Sequence, residues 1–238
     1  MILIFDYFET LVNNCSIDFN RGLKPLWEKH YRDRCDFEDI KQYGEELFRV
    51  LQASHKEGRE FPFVKEELPL YAERYGGDVI TMNAEEEADF LMLCNDMEPV
   101  PGIRELLSEC EAKNIPMYVL SNSGFTAGAL WIALNRLGIG QYFKRVWSSA
   151  DFGRIKPYKE LYDMAFDGVF RDNPGAGKDD ILFVGDLYET DIVGAHNAGI
   201  KSVWINRKGE TDTDGYATYQ IAETRELSRI IKQIETKN

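Results

Sequence analysis

The sequence has 238 residues, which suits either one α/β domain or a core domain with a smaller insertion. Its formal net charge of −13 argues against a nucleic-acid partner, because binding to phosphate backbones requires concentrated Lys and Arg. No apolar run approaches the roughly 20 residues of a membrane span, and residues 1–5 are too short and lack the basic charge for a signal peptide. We therefore expect a cytoplasmic protein without a membrane partner. The four cysteines include no CxxC pair, which favours neither a zinc site nor a disulfide framework.

An apolar run over the first five residues leads directly to a carboxylate, Asp6. In open α/β sheets, ligands bind beyond the carboxyl ends of the strands, so a carboxylate at that edge is predicted to face a ligand. The alternative role for Asp6 is that of a helix N-cap. Residues elsewhere in the sequence distinguish between these two roles.

Residues 16–97 show helical patterns. Apolar residues between Phe37 and Leu51 recur at the i, i+3, i+4 and i+7 spacing of an amphipathic helix. This block indicates a helical insertion. Three shorter helices are predicted over residues 19–31 with an interruption near Pro25, over residues 64–75 with a break or kink at Pro69, and over residues 84–94 with Asn83 as N-cap.

From Ile103 onwards, helices and strands alternate regularly. Such alternation predicts βαβ units and a parallel sheet, and therefore an α/β fold. The predicted strands cover residues 116–120, 145–148, 181–184 and 202–205. The predicted helices cover residues 103–113, 125–137, 157–170, 190–198 and 223–234.

Polar side chains follow the predicted strands at the points where they end. Ser121 ends one strand, Asp186 follows another, Asp191 comes five residues later, and Lys156 begins a helix. Each of these residues alone has a structural explanation as a cap, a turn former or a solvated lysine. Together with Asp6 they supply carboxylates, a hydroxyl and an ammonium group at one sheet edge, which is what a phosphate and metal site requires.

Four motifs in this order resemble those of the haloacid dehalogenase superfamily, over nearly the whole chain. They read IFDYFETLV around Asp6, MYVLSNS around Ser121, GRIKP around Lys156 and VGDLYETDIVGAHNAG around Asp186. The resemblance implies a three-layer Rossmann-like parallel sheet core, formed by residues 1–15 and 98–238. It also implies an inserted α-helical cap of the C1 type, formed by residues 16–97.

The resemblance further implies the chemistry of the site. Asp6 would act as the nucleophile and form a covalent aspartyl intermediate that water hydrolyses. Mg²⁺ is the implied cofactor, and its implied ligands are Asp6, the backbone carbonyl of Phe8 and Asp186, with Asp191 either as a further ligand or as a residue that supports the others. The implied substrate-binding residues, which hold the transferring group or neutralise its charge, are Thr10, Ser121, Asn122 and Lys156.

The first motif departs from the family pattern at Phe8, where the phosphatases carry a second Asp as general acid and base. That group contributes typically about 10² to 10⁴ in rate, and a phenyl ring cannot replace it. Glu9 could substitute or could have a surface role. The 2-haloacid dehalogenases carry an aromatic residue at this position, but they need no metal, and the retained pair Asp186 and Asp191 weighs against that activity.

Three hypotheses follow. The leading one is Mg²⁺-dependent hydrolysis of a small-molecule phosphomonoester, one with a good leaving group that tolerates the missing acid. The second is a 2-haloacid dehalogenase-like enzyme. The third is a catalytically weak protein that keeps the metal and phosphate pocket. A C1 cap lets one chain close its own site, which favours a monomer.

Overall fold

The computed structural model describes residues 1–236. Its strands and helices, in chain order, are β1 (Ile2–Phe5), β2 (Val12–Ile17), α1 (Phe19–His30), α2 (Phe37–Lys56), α3 (Leu68–Tyr75), α4 (Ala84–Cys94), β3 (Asn95–Pro99), α5 (Ile103–Ala112), β4 (Met117–Ser121), α6 (Ala127–Arg136), β5 (Arg145–Ser148), α7 (Ser149–Phe152), α8 (Lys159–Asp172), β6 (Ile181–Gly185), α9 (Val193–Ala198), β7 (Lys201–Ile205), β8 (Tyr219–Ile221) and α10 (Leu227–Glu235). Single π-helical turns, Phe63–Glu67 and Tyr188–Ile192, lead into α3 and α9.

The central sheet has six strands in the order β5-β4-β1-β6-β7-β8, and all neighbouring strands are parallel. Strand β1 lies in the middle, where Phe5 is in register with Val119 of β4 and Val184 of β6. The strand order reverses at β1, because β4 and β5 lie on one side of it and β6 to β8 on the other, and such a reversal creates a crevice beyond its carboxyl end. The predicted parallel α/β sheet is confirmed, and β4 to β7 match the predicted strands within one residue.

Both faces of the sheet are covered, which explains why β1 is apolar at every position. Leu3 and Phe5 pack in a cluster with α5, α6 and α10, whereas Ile2 and Ile4 pack in a second cluster with α8 and α9. All four side chains are at most 3% exposed. Burial of such side chains contributes roughly 1.5–3 kcal/mol each, so the core fixes the strand that ends at Asp6.

The helices α1 to α4 share a third apolar cluster. Asn83 caps α4 as predicted, in a capping box with Glu86. The predicted interruption at Pro25 is wrong, because α1 runs continuously from Phe19 to His30 with Pro25 inside it. Packing outweighs the lost backbone hydrogen bond there: a Cβ on Gly22 would lie 2.5 Å from Cys94 Sγ, so α1 and α4 are in close contact.

An antiparallel pair, β2 with β3, connects the helical region to the parallel sheet. These strands were not predictable from the sequence, because Asn, Ser, Asp and Glu dominate them and have low strand propensity. Helix α4 contributes Leu91 to the cluster beside the sheet and Phe90 to the helical cluster, so it contacts both regions. The division into a core and a cap at residues 16–97 stays a prediction.

Within residues 1–236, no helix is both long and apolar enough to cross a membrane.

Candidate active site

The candidate site lies at the carboxyl edge of the three central strands. Asp6 follows β1 and its backbone N–H donates to the carbonyl of Val184 in β6, at 2.8 Å. Ser121 is the last residue of β4, and Asp186 comes directly after β6. Because β4, β1 and β6 are neighbours and parallel, the three predicted site residues lie side by side at one edge of the sheet.

Lys156 joins two of the predicted carboxylates. Its ammonium Nζ lies 2.5 Å from Oδ1 of Asp6 and 2.7 Å from Oδ1 of Asp191. Lys156 and Asp191 are at most 1% exposed, and Asp6 is 8% exposed. Burial lowers the pKa of Lys156, but the carboxylates of Asp191 and Asp6 outweigh that effect and raise it, so the ammonium group stays charged.

Three carboxylates form a cluster that fits a divalent cation. Asp6, Asp186 and Asp191 each place one carboxylate oxygen within 4.8 Å of the others. Burial raises the pKa of Asp6 to about 7, against the opposing effect of Lys156. Burial, and then the charge of Asp191, raise the pKa of Asp186 to about 6. The single ammonium group of Lys156 does not neutralise all three carboxylates, so the cluster has an excess of negative charge. Carboxylate oxygens are the ligands that Mg²⁺ prefers.

Local backbone structure holds Asp191 in this cluster. The backbone N–H of Leu187 donates to Oδ2 of Asp191 at 3.0 Å. Gly185 allows the close approach, because a Cβ at that position would lie 2.4 Å from the same oxygen. The glycine of the GD motif is therefore required by the packing of Asp191 against the end of β6.

The loop after β4 is tied to the backbone of Lys156. The Asn122 side chain accepts a hydrogen bond from the Lys156 N–H at 2.7 Å and donates one to the Lys156 carbonyl at 3.0 Å. The hydroxyl of Ser121 is fully buried and donates to the Asn122 carbonyl at 3.3 Å. Movement of this loop would therefore be transmitted to the lysine that contacts Asp6.

The other predicted residues of the first motif face different surroundings. Thr10 is fully buried, and its hydroxyl has no hydrogen-bond partner within the described part of the chain. The Phe8 ring packs against Tyr7, with the ring centroids 4.7 Å apart. Glu9 adopts a left-handed backbone conformation (φ 56°), and its carboxylate accepts from the N–H of Asn14 at 2.9 Å. The Glu9 carboxylate is therefore hydrogen-bonded to the backbone of Asn14.

Two clefts border the site. One, of about 930 Å³, is lined by Asn122 and Lys156 together with Tyr158 and Leu187. The other, of about 630 Å³, is lined by residues that include Asp186 and Arg207. The charge of Arg207 lowers the pKa of Asp186, although burial and Asp191 outweigh it.

Arg207 is a residue of the site that no sequence motif indicated. It follows β7 by two residues, so the rule that strand ends carry ligand-binding groups could have found it.

Residues 4–205 match the family model of the haloacid dehalogenase-like hydrolases, and the chain belongs to this family. The resemblance identified from the four motifs is thus confirmed. The pyrimidine 5'-nucleotidase YjjG of Escherichia coli (strain K12) is 31% identical over 230 residues, which cover 96% of this chain and 88% of the nucleotidase. The glyceraldehyde 3-phosphate phosphatase of Methanocaldococcus jannaschii is 28% identical over 141 residues, which cover 58% of this chain and 59% of the phosphatase.

Solved structures support the fold. The 2-haloacid dehalogenase from Pseudomonas syringae pv. Tomato DC3000 aligns with a TM-score of 0.67 at 21% identity, covering 98% of this chain and 99% of the dehalogenase. The putative HAD-hydrolase YfnB from Bacillus subtilis aligns with a TM-score of 0.60 at 23% identity, covering 97% and 98% of the two chains. At these identities the likeness concerns the architecture alone.

Proposed function

We propose that this protein is a Mg²⁺-dependent hydrolase of small-molecule phosphomonoesters, with Asp6 as the nucleophile. The observation that carries the proposal is the position of Lys156 between Asp6 and Asp191, with Asp186 in the same carboxylate cluster. One cationic side chain is enough to neutralise a single buried carboxylate. Here three carboxylates share Lys156, so the cluster carries more negative charge than Lys156 can neutralise. The excess suits a cation that binds together with an anionic substrate.

The proposed hydrolysis has two steps, transfer of the phosphoryl group to Asp6 and hydrolysis of the aspartyl phosphate. An Asp6 carboxylate oxygen attacks phosphorus in line, the bond from phosphorus to the ester oxygen breaks, and the leaving group departs with the bonding electron pair. Water then attacks the aspartyl phosphate, which releases inorganic phosphate and restores the carboxylate. Lys156 offsets negative charge on Asp6 and on the transferring group, and Ser121 with the Asn122 N–H binds the phosphate oxygens.

Asp6, Asp186, Asp191 and the carbonyl oxygen of Phe8 would hold Mg²⁺. When bound, the ion supplies the positive charge that lets an anionic nucleophile approach an anionic phosphate.

Phe8 restricts the substrates that such a site can hydrolyse quickly. A leaving alkoxide needs a proton, but the Phe8 ring has none to donate and Glu9 is bonded to Asn14. The leaving groups of aryl and acyl phosphates depart as stabilised aryloxide and carboxylate anions, so they do not need that proton. We therefore propose that phosphates with good leaving groups react fastest.

We place the organic part of the substrate in the cleft of about 930 Å³ that Asn122 and Lys156 line. Tyr158 and Leu187 in the same cleft are 39% and 58% exposed, so they offer apolar surface beside the phosphate-binding groups. Because the E. coli relative is named a pyrimidine 5'-nucleotidase, pyrimidine nucleoside 5'-monophosphates are the first natural substrates to test.

A panel of substrates, each assayed with Mg²⁺ and with EDTA, tests the proposal. The panel contains p-nitrophenyl phosphate, acetyl phosphate, uridine 5'-monophosphate and 2-chloropropionate. We expect Mg²⁺-dependent release of inorganic phosphate, fastest from the first two compounds. Release of chloride that persists in EDTA and in an Asp186→Asn variant would instead establish the dehalogenase activity.

A further inference from the structure

Glu60 is a fully buried carboxylate in the segment between α2 and α3, outside all four motifs. Its Oε1 accepts from His55 Nε2 at 2.9 Å and from the N–H of Phe61 at 3.0 Å, and its Oε2 accepts from the hydroxyl of Ser149. Burial would raise the pKa of Glu60, but these hydrogen bonds outweigh burial and lower it. Glu60 is therefore an ionised acceptor in the interior.

Ser149 connects this carboxylate to the loop after β4. Its Oγ accepts from the N–H of Ser123 at 2.8 Å. A hydroxyl has one proton, so when it donates to Glu60 its lone pairs point towards other donors, here the Ser123 N–H. Glu60 thus orients the acceptor that holds Ser123, one residue after Asn122.

The connection continues to the site. Asn122 binds both backbone polar groups of Lys156, and Lys156 Nζ contacts Asp6 and Asp191. Hydrogen bonds, together with the covalent chain from Ser123 to Asn122 and along the Lys156 side chain, therefore connect Glu60 through Ser149 and the loop after β4 to the candidate catalytic lysine.

Backbone contacts hold the Glu60 segment in place independently of its side chain. The N–H of Glu60 donates to the Gly153 carbonyl at 3.1 Å, and the N–H of Phe63 donates to the Gly124 carbonyl at 2.9 Å. Truncation of the Glu60 side chain should therefore loosen the loop after β4 while the segment stays docked.

We propose that Glu60 is a positioning residue that fixes the phosphate-binding loop from Ser121 to Ser123 through Ser149. The kinetic part of this proposal rests on the phosphatase function proposed above. The structural part, the order of the loop, does not.

Glu87 provides a matched control. It is also a buried carboxylate of the helical region, 2% exposed, and it accepts from the Thr126 N–H at 2.8 Å and from the Thr126 hydroxyl. It joins α4 to the start of α6, and its hydrogen bonds go to Thr126 and not to the residues from Ser121 to Ser123. Loss of Glu87 should thus resemble loss of Glu60 in stability but should leave the Ser123 amide protected, because Ser123 is held by Ser149.

The test compares Glu60→Ala, Glu60→Gln, Ser149→Ala and Glu87→Ala by amide hydrogen exchange and by steady-state kinetics with p-nitrophenyl phosphate. In Glu60→Ala and Ser149→Ala we expect the Ser123 amide to exchange at least about tenfold faster, because an opened hydrogen bond removes its protection. We expect kcat/KM to fall by about 10- to 100-fold in the same two variants, because misplaced binding groups lose alignment. Glu60→Gln keeps the size of the side chain but replaces one acceptor oxygen with an NH2 donor, so we expect Ser123 exchange and kcat/KM between those of Glu60→Ala and the wild type.

Unchanged Ser123 exchange and kcat/KM in Ser149→Ala, which removes only a hydroxyl, would overturn the proposal even if Glu60→Ala fails to fold. Equal losses in Glu87→Ala would overturn it as well, because the effect would then be general destabilisation. If no phosphomonoester is hydrolysed, the proposed function fails, and hydrogen exchange alone still decides the role of Glu60.

Discussion

The ammonium Nζ of Lys156 lies 2.7 Å from Oδ1 of Asp191, and both side chains are almost completely excluded from solvent. The same Nζ contacts Asp6, so one buried cation holds two carboxylates from different segments, the end of β1 and the turn after β6. Removal of one member of a buried ion pair leaves uncompensated charge, which costs far more than the pair itself contributes.

Lys156→Met should therefore destabilise the protein by about 3–5 kcal/mol at pH 7, because Asp6 and Asp191 lose their shared cation. Urea unfolding measures the change. Lys159→Met is the control: Lys159 forms an exposed pair with Asp163, and such pairs contribute about 0–1 kcal/mol. A similar loss in both variants would show that Lys156 has no special role in stability.

Gly185→Ala should weaken both the fold and the metal site, because the added Cβ would lie 2.4 Å from the Asp191 carboxylate. We expect a loss of roughly 1–3 kcal/mol from overpacking. We also expect Mg²⁺ to raise the midpoint of thermal unfolding less in the variant than in the wild type. Gly177→Ala is the control, since its Cβ would meet no atom within 4 Å. Equal stabilisation by Mg²⁺ in all three proteins would contradict the assigned metal ligands.

Phe8→Asp should raise the hydrolysis of alkyl phosphates such as uridine 5'-monophosphate by about 10² to 10⁴, because it restores a general acid and base. Aryl phosphates should gain much less, since their leaving groups need no proton. Phe8→Leu keeps an apolar side chain and should keep the wild-type preference. If the wild type is nearly inert towards all phosphates and Phe8→Asp alone is active, the protein is a binding protein with residual catalytic machinery.

Glu67 should make stability depend on pH. Burial raises its pKa from 4.5 to about 7 in the folded chain, and its nearest partner, the Tyr71 hydroxyl, is 3.4 Å away. Below pH 4.5 the carboxyl group is neutral in both states, whereas above pH 7 only the folded state carries the cost of a buried charge. This group should therefore remove roughly 3 kcal/mol of stability as the pH rises from 4.5 through 7.

Unfolding of Glu67→Gln at pH 5 and pH 8 checks this dependence. The variant should be more stable than the wild type at pH 8 and close to it at pH 5. Glu73→Gln on the exposed side of α3 should show no such difference. An equal difference between Glu67→Gln and the wild type at both pH values would refute the prediction.

Regular periodicity made the sheet predictable from sequence. The buried strands from β4 to β7 are apolar runs between helices, and their shared edge follows from parallel pairing, which brings Asp6, Ser121 and Asp186 together. The start of α4 was also predictable, because Asn83 and Glu86 form a local capping box. Such features depend on residues that are close in the sequence or on the general geometry of parallel sheets.

Features that depend on distant contacts were not predictable. Glu60 has the sequence context of a solvated loop residue, and its burial depends on distant partners such as Ser149, 89 residues away, and Gly153. The pair of β2 and β3 is polar. It forms because the chain leaves the parallel sheet after β1 and returns to it beside the same strand before α5. Pro25 was expected to interrupt a helix, yet packing of α1 against α4 keeps that helix continuous.

The most direct test of the central claim is the hydrolysis of p-nitrophenyl phosphate by the wild type and by Asp6→Asn, with Mg²⁺ and with EDTA. If Asp6 is the nucleophile of a Mg²⁺-dependent phosphatase, the wild type is active only with Mg²⁺. Asp6→Asn then loses at least about 10³-fold in kcat while it remains folded. Phosphate release that is equal in both proteins, or that is unaffected by EDTA, would contradict the claim.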